Sequence, residues 1–524
     1  MAQGRLFAKK SVEQIQREFG ASELKRTLGA VNLVSLGVGA IIGAGIFVLT
    51  GNAAANFAGP GVMLSFVIAG FACAFAGLCY AELASTIPVS GSAYSYSYVT
   101  LGEVFAWVMG WLLLLEYGVA ASTVAAGWTG YVIELLADFG LKIPDALSRS
   151  TLQLKDGVLQ IQPSINLVGA FGILAVTSLL VIGVSESARV NNVIVIIKLT
   201  VLLAFISVGL FYVDPANWSP LIPENEGGFT YGWQGVLRAA SVIFFAYVGF
   251  EAVSTAAGEA RNPERDLPIG ILGSLVICTI LYMAVAAVMT GVVPFRELEG
   301  EAPIAIAIDR MNPQWAVVPW GLTETGTLNV LAFIVKIGAF TGLSSVMLVL
   351  MYAQTRVFYQ IAKDGLLPGV FARVNQRFRT PAAGTALLGG IIAVAAATLP
   401  LNVLNDLVSL GTAVAFSIVC ISVIYLRRNN PGLPRPFKVP LYPLTPILGV
   451  FFCLVLMMGP ILLDIVSKAT NIDILGTIIG TPGKVDRDPA AMWILGGYIV
   501  LGALVYGLYG YRNSRLGRDR QAAG

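Results

Sequence analysis

From residue 30 onward the chain is a succession of long apolar runs separated by short polar stretches. Twelve runs stand out, at roughly 30–55, 61–83, 104–136, 166–186, 190–213, 233–257, 268–293, 329–359, 382–400, 404–426, 443–466 and 491–511. An apolar stretch of about 18 residues or more crosses the hydrocarbon core of a bilayer as a helix. The pattern therefore predicts an all-α polytopic membrane protein with twelve spans. The fourth and fifth runs are parted only by Ser185–Val190, which demands a tight helical hairpin. The longest loops are about 30 residues, so no separate soluble domain is expected. Within the loop 138–165, Lys155-Asp156-Gly157 predicts a turn between two short strands. The segment 294–328 predicts a short helix around Pro303–Met311. Asn429–Pro446 holds six prolines in eighteen residues and reads as a stiff, extended loop. Residues 1–28 lack the apolar core of a cleavable signal peptide. Val12, Ile15 and Phe19, with Lys9, Lys10, Arg17, Lys25 and Arg26, predict a short amphipathic helix lying on the inner membrane surface.

Composition narrows the function classes. Of 524 residues, 56% are hydrophobic and 12% charged, about half the share usual in soluble proteins. An ordinary soluble enzyme, a disordered chain and a nucleic-acid partner are excluded. There is no histidine, which removes His-based metal sites and Ser-His or Cys-His catalysis. Cys73, Cys79, Cys278, Cys420 and Cys453 lie inside apolar runs and read as buried small side chains. No catalytic residue, metal or cofactor is expected. The even number of spans puts both termini on one side. The N-terminus, tail and alternate loops hold 22 Lys and Arg, against 8 in the opposite loops. This bias predicts that both termini are cytoplasmic.

Two runs are interrupted. Gly37 to Gly45 holds four glycines in nine residues, costly inside a continuous helix. In lipid, unwound backbone survives only where it is buried or lines a cavity. A break at Gly43–Gly45 would start a half-helix near Ile46, with free N–H groups and the positive dipole end pointing inward. That is a carboxylate site made of backbone; close helix packing through small residues explains the glycines equally well. In the sixth run, Val248-Gly249 is followed by Phe250 and the acidic Glu251. A break there would free carbonyls that attract an ammonium group. The interruptions occupy the same place in two successive five-span units. Paired breaks of this kind point to an inverted-repeat transporter with its site at the midplane.

Ionisable residues within spans are functional candidates. Lys198 lies deep in the fifth, Glu116 in the third, and Glu251 just after the second break. Lys336 and Arg238 lie nearer the ends of their spans, where snorkelling to the interface is the expectation.

These residues carry a family pattern. Leu24–Gly29 leading into Gly39–Phe47, Ser90–Tyr94, Leu115-Glu116-Tyr117, Gly249-Phe250-Glu251, Glu259–Pro263, Gln354-Thr355-Arg356 and Asp364–Pro368 follow one another in order and spacing. In them the chain resembles the amino acid–polyamine–organocation (APC) superfamily, in the bacterial form of its cationic amino acid transporter branch. The resemblance covers nearly the whole chain. It implies a LeuT-type fold: a cytoplasmic segment 1–28, inverted five-helix repeats at 29–213 and 230–427, two peripheral helices in 443–511 and a tail 512–524. It also implies a bacterial inner-membrane protein that carries amino acids and is not an enzyme.

Carried over residue by residue, it places the substrate carboxylate on the amides of Gly43, Ala44 and Gly45. The amine falls on the carbonyls of Ile41, Phe245, Ala246 and Val248, with Phe250 as a lid and Glu251 in gating. Many relatives have a hydroxyl residue where this chain has Ala44, so that contact is absent. Lys198 falls where proton-coupled members place a lysine in the second sodium position. Because burial disfavours a charged form, a proton could be taken up and released there. A permanently charged structural lysine is the alternative. Glu116 is a second coupling candidate, or a partner for a cationic side chain. Leu343, before Ser344-Ser345, limits pocket length, which favours small neutral substrates such as alanine over arginine and lysine. Expected partners are the amino acid, protons, membrane lipids and a small single-span subunit. Symport competes with exchange, and a transporter with an amino-acid-sensing transceptor. A channel would need charge rings or repeated filter loops, and the chain shows neither.

Overall fold

The computed structural model describes residues 8–10, 28–88, 92–155, 158–183, 188–300, 302–311, 313–321, 327–460, 462–463, 466, 490–516 and 518. Among the described residues, eight helices are long and apolar enough to cross a membrane. They are Gly45–Thr86, Glu103–Ala137, Asn192–Tyr212, Gly232–Thr255, Pro263–Val292, Val330–Lys363, Leu401–Asn429 and Ile494–Asn513. Shorter apolar helices occupy Ala30–Ile41, Leu167–Ile182, Ala382–Thr398 and Leu444–Val455. The chain is therefore a helical, multi-pass membrane protein. Gly45–Thr86 bends at Gly59, whose φ of +59° opens the tight turn Gly59–Gly61.

Burial separates centre from rim. The most apolar window of Gly232–Thr255 is 94% buried and that of Leu401–Asn429 83%, against 11% for Ile494–Asn513. The first two are inner helices and the last is peripheral. Pro263–Val292 packs on both Ala30–Ile41 and Val62–Thr86. Val330–Lys363 packs on Ala120–Ala137 and on Ala188–Gly209. Leu167–Ile182 lies against Ala382–Thr398, close enough that a Cβ at Gly389 would meet Thr177 Oγ at 2.2 Å. Exposed Phe71, Phe171, Ile280, Val394 and Val500 ring the bundle, as a hydrocarbon solvent requires.

The loop elements follow the sequence reading. Leu152–Lys155 pairs antiparallel with Val158–Ile161, and a helix covers Pro303–Met311. The Pro-rich loop is pinned at Glu82, whose carboxylate accepts from the Arg427 guanidinium and from the Val439 N–H at 2.7 Å. All five cysteines are free and buried. Several elements are additions to that reading, among them a strand pair, Val317–Pro319 with Thr327–Asn329. A helix at Ser92–Thr100 precedes the Glu103–Ala137 helix, and the latter carries π-type turns over Leu114–Val119. Of the expected amphipathic helix, Val12, Ile15, Arg17, Phe19, Lys25 and Arg26 lie outside the described residues, while Lys9 and Lys10 are described outside any helix and bond Tyr425 and Asp364; residues 184–187 of the expected hairpin are also outside.

Candidate functional site

The first interruption opens one residue before Gly43. The helix Ala30–Ile41 ends with Ile42 in an extended conformation, φ −71° and ψ 97°. Helical turns resume at Gly45, and the Ile46 and Phe47 N–H groups reach back to the Gly43 carbonyl at 3.2 Å each. The amides of Gly43, Ala44 and Gly45 therefore lead the half-helix that follows the break, where backbone donors have no partner within the helix. The half-helix is held by Tyr131, whose hydroxyl donates to the Phe47 carbonyl at 2.8 Å.

The second interruption follows the helix Gly232–Ile243. A 3-10 turn over Phe244–Tyr247 leads to Val248 at ψ 132° and Gly249 at φ +122°, and helix resumes at Ala252. Only glycine adopts that φ readily. The Glu251 carboxylate accepts the Gly249 N–H at 2.9 and 3.1 Å and so caps the break from two residues away. Glu251 is fully buried beside Tyr117, and its neighbour Ser254 bonds Ser92 at 3.1 Å.

The two interruptions meet through their glycines. A Cβ at Gly45 would lie 2.2 Å from Ala246 Cβ and 2.4 Å from Ala246 Cα. A Cβ at Gly249 would lie 2.8 Å from the Ala40 carbonyl carbon. Leading amides of one break and open backbone of the other are thus brought side by side. Tyr282, from the Pro263–Val292 helix, ties them: its hydroxyl lies 2.8 Å from the Ile41 carbonyl and 3.0 Å from that of Ala246. Sequence reasoning passed over Tyr282; the one signal was a tyrosine in the middle of an apolar run. Of the expected acceptors, the Ile41 and Ala246 carbonyls thus already bond Tyr282, and that of Phe245 accepts from Val248 N–H at 3.0 Å. A carbonyl has two lone pairs, so each keeps capacity for a second donor.

Lys198 is fully buried, and its Nζ donates to the carbonyls of Gly39 at 2.9 Å and Ile42 at 3.1 Å. Its stem passes Gly342, where a Cβ would come within 3.3 Å of Lys198 Cε. The ammonium is thus set where the Ala30–Ile41, Ala188–Gly209 and Val330–Lys363 helices converge, on carbonyls at the edge of the first break. Leu343 is fully buried one residue further on. Ser344 accepts from Trp128 Nε1 at 2.9 Å, and Val346 abuts Gly43. Phe250 packs on Tyr80 and Phe416, at centroid distances of 5.6 and 5.1 Å.

Glu116 sits in the π-type turns, fully buried, and neither carboxylate oxygen has a hydrogen-bond partner among the described residues. Glu251 and Tyr80 are its electrostatic neighbours. π-Type turns inside α-helices often mark functional positions.

The snorkelling expectation fails for both Arg238 and Lys336. Arg238 is 3% exposed and pairs with both Asp406 oxygens at 2.9 and 3.0 Å. Lys336 is 4% exposed and lies 3.1 Å from Asp138 and 3.4 Å from Glu134. Each found a carboxylate on another helix, which a long side chain does in preference to stretching toward water when the partner is buried with it. At the opposite end of the bundle, Lys10 pairs with Asp364 at 2.7 Å, and Tyr94 donates to the other Asp364 oxygen. Glu103 there accepts from Tyr98 and Ser514. Among the described residues no group of three His, Cys, Asp or Glu could hold a metal.

Comparison with known proteins bears on this arrangement. The profile of the amino acid permease family matches residues 28–481. The chain is 44% identical to the branched-chain amino acid permease BcaP of Bacillus subtilis, over 87% of this chain and 93% of that protein. It is 43% identical to a methylthioribose transporter of the same organism, over 86% and 91%. It is 36% identical to a vacuolar cationic amino acid transporter of Arabidopsis thaliana, over 82% and 68%.

Proposed function

This chain belongs to the amino acid permease family of the APC superfamily, and on that premise we propose that it is a proton-coupled symporter of small neutral L-amino acids. The family and these relatives are permeases and transporters, so the chain is a transporter and not an enzyme. The proposed architecture has twelve spans in a LeuT-type arrangement. Inverted repeats lie at 29–213 and 230–427, peripheral helices in 443–511, and the 1–28 segment and 512–524 tail are cytoplasmic at the bacterial inner membrane.

One observation carries the reading: two broken helices meet at Gly45 and Ala246, beside a buried ammonium seated on backbone carbonyls. In this reading the leading amides of Gly43, Ala44 and Gly45 take the substrate carboxylate. The carbonyls of Ile41, Phe245, Ala246 and Val248 take the amine, with Tyr282 sharing two of them. Phe250 closes the site and Glu251 keeps the second break open to gating. Lys198 occupies the position of a coupling cation, and its proton exchange alternates with inward and outward states.

The neutral side-chain preference rests on Leu343, fully buried on the helix that abuts Gly43 through Val346. A guanidinium entering without a dedicated partner would lose several kcal/mol of solvation in order of magnitude. The branched-chain specificity named for BcaP agrees with an apolar pocket. A competition panel against labelled alanine tests this. Alanine and the branched-chain amino acids should compete strongly, and arginine, lysine and methylthioribose weakly. Leu343→Ser should shift competition toward longer or cationic substrates. Strong competition by arginine in the wild type would instead favour the cationic reading. That reading is supported by the Arabidopsis relative and by Glu116, whose carboxylate lacks a hydrogen-bond partner among the described residues.

Glu116→Gln should slow transport at least about tenfold while leaving thermal stability within roughly 1 kcal/mol. An amide of the same shape removes the charge and the proton site without opening a cavity. Wild-type uptake rates in this variant would show that Glu116 only packs.

A further inference from the structure

A cavity of about 440 Å³ lies away from the two interruptions. It sits where the ends of the Leu167–Ile182, Val330–Lys363 and Ala382–Thr398 helices come together. Its lining includes Arg356 and Arg379, with Tyr352, Tyr359 and Phe378, and no acidic residue. Both arginines are exposed. Neither forms an ion pair or a side-chain hydrogen bond with any described residue. Glu259 is within electrostatic range of Arg356 without pairing to it. Elsewhere Arg238, Lys336, Arg427 and Lys10 are matched by carboxylates, and Lys198 by backbone carbonyls.

The cavity is built, not incidental. Arg356 lies over the Tyr352 ring at 4.1 Å, a cation–π contact that holds it beside the aromatic wall. Arg379 has a φ of +54°, a conformation a non-glycine residue holds only when its surroundings impose it. The imposing contacts are local. The Asn375 side chain accepts the N–H groups of Arg377 and Phe378 at 2.8 and 3.2 Å. Arg379 N–H donates to the Asn375 carbonyl at 2.8 Å. Thr380 Oγ donates to the Val181 carbonyl at 2.7 Å, which moors the loop to the end of the neighbouring helix. Exposed Leu179, Ile182 and Leu387 on the flanking helices continue from the cavity over the bundle's apolar outer face. Two guanidinium groups without a paired carboxylate, one of them on a loop whose backbone is held in place, aromatic walls and an adjoining lipid-facing surface define one ligand chemistry. It is a phosphate or phosphodiester attached to apolar chains.

We propose that this cavity binds the headgroup of an anionic phospholipid, with the phosphodiester on Arg356 and Arg379 and the acyl chains along Leu179, Ile182 and Leu387. Basic pockets between membrane helices on the cytoplasmic side hold anionic headgroups in this way. The proposal rests on the cytoplasmic placement of this end, which the Lys and Arg bias supports.

Thermal unfolding of the delipidated full-length protein in detergent tests it, with phosphatidylglycerol, phosphatidylcholine or inorganic phosphate added. Binding to the folded state alone raises Tm. Phosphatidylglycerol should raise Tm by about 2 °C or more, and phosphatidylcholine and phosphate should not. Arg356→Gln with Arg379→Gln should remove the shift without lowering the Tm of the lipid-free protein by a comparable amount. Should that pair fail to fold, Arg379→Gln alone, on the exposed loop, should at least halve the shift. An equal shift in the variants, or from phosphatidylcholine, would overturn the site. An equal shift from phosphate would overturn the lipid as its source. The assay is blind to sidedness, so an inverted topology would leave the shift intact and show itself only in accessibility labelling of the loop.

Discussion

Gly45→Val should abolish amino acid binding, and even Gly45→Ala should weaken it severely. The reason lies in the partner break. A Cβ at this position meets the Cα and Cβ of Ala246 at 2.4 and 2.2 Å, so the backbone of one interruption must move away from the other. Overpacking of that kind costs about 1–3 kcal/mol. If it falls on the bound state, affinity drops roughly tenfold to a hundredfold. The added γ-carbons of valine further crowd the leading amides. Gly390→Ala is the control: a Cβ there meets nothing within 4 Å, so binding should stay at the wild-type level. The check is thermal stabilisation by substrate, and normal stabilisation of Gly45→Val would remove the first interruption from the site.

Lys198→Ala should lose proton-driven accumulation while retaining counterflow exchange. The ammonium satisfies the carbonyls of Gly39 and Ile42, so its removal leaves two buried acceptors at the edge of the break. Each unsatisfied acceptor costs about 1–3 kcal/mol, and the variant should be measurably less stable. Exchange needs the site to open to both faces but needs no net proton movement. Retained exchange would therefore show that the fold survives and that coupling has been lost. Accumulation against a gradient at the wild-type level in Lys198→Ala would exclude it as the coupling group.

The sequence exposed the parts of this arrangement that are local. Glycine is expensive inside a helix, so Gly43, Gly45 and Gly249 pointed to breaks, and their matched places in two five-span units separated that reading from close packing. The Pro303–Met311 helix and the pairing of Leu152–Lys155 with Val158–Ile161 were legible for the same reason, since Pro, Asp and Gly punctuate short segments. The Glu251 cap reaches back only two positions and could have been read from the single residue, Phe250, that separates it from Gly249. What stayed hidden was pairing at long range. Arg238 and Asp406 are 168 residues apart, and Lys336 and Asp138 are 198 apart. Viewed on single helices, both cations looked like side chains that reach for water. Tyr282 was hidden because a tyrosine in an apolar run gives no hint of which carbonyls its hydroxyl meets. The π-type turns around Glu116 were invisible because an inserted residue leaves the hydrophobic pattern of the span nearly unchanged.

The most direct test of the transport account is uptake of labelled alanine by the purified protein in proteoliposomes, with an inward proton gradient and no sodium. The account predicts accumulation above equilibrium that collapses when a protonophore is added and does not change when sodium is supplied. Uptake that requires sodium, or an absence of alanine uptake under the proton gradient, would contradict it.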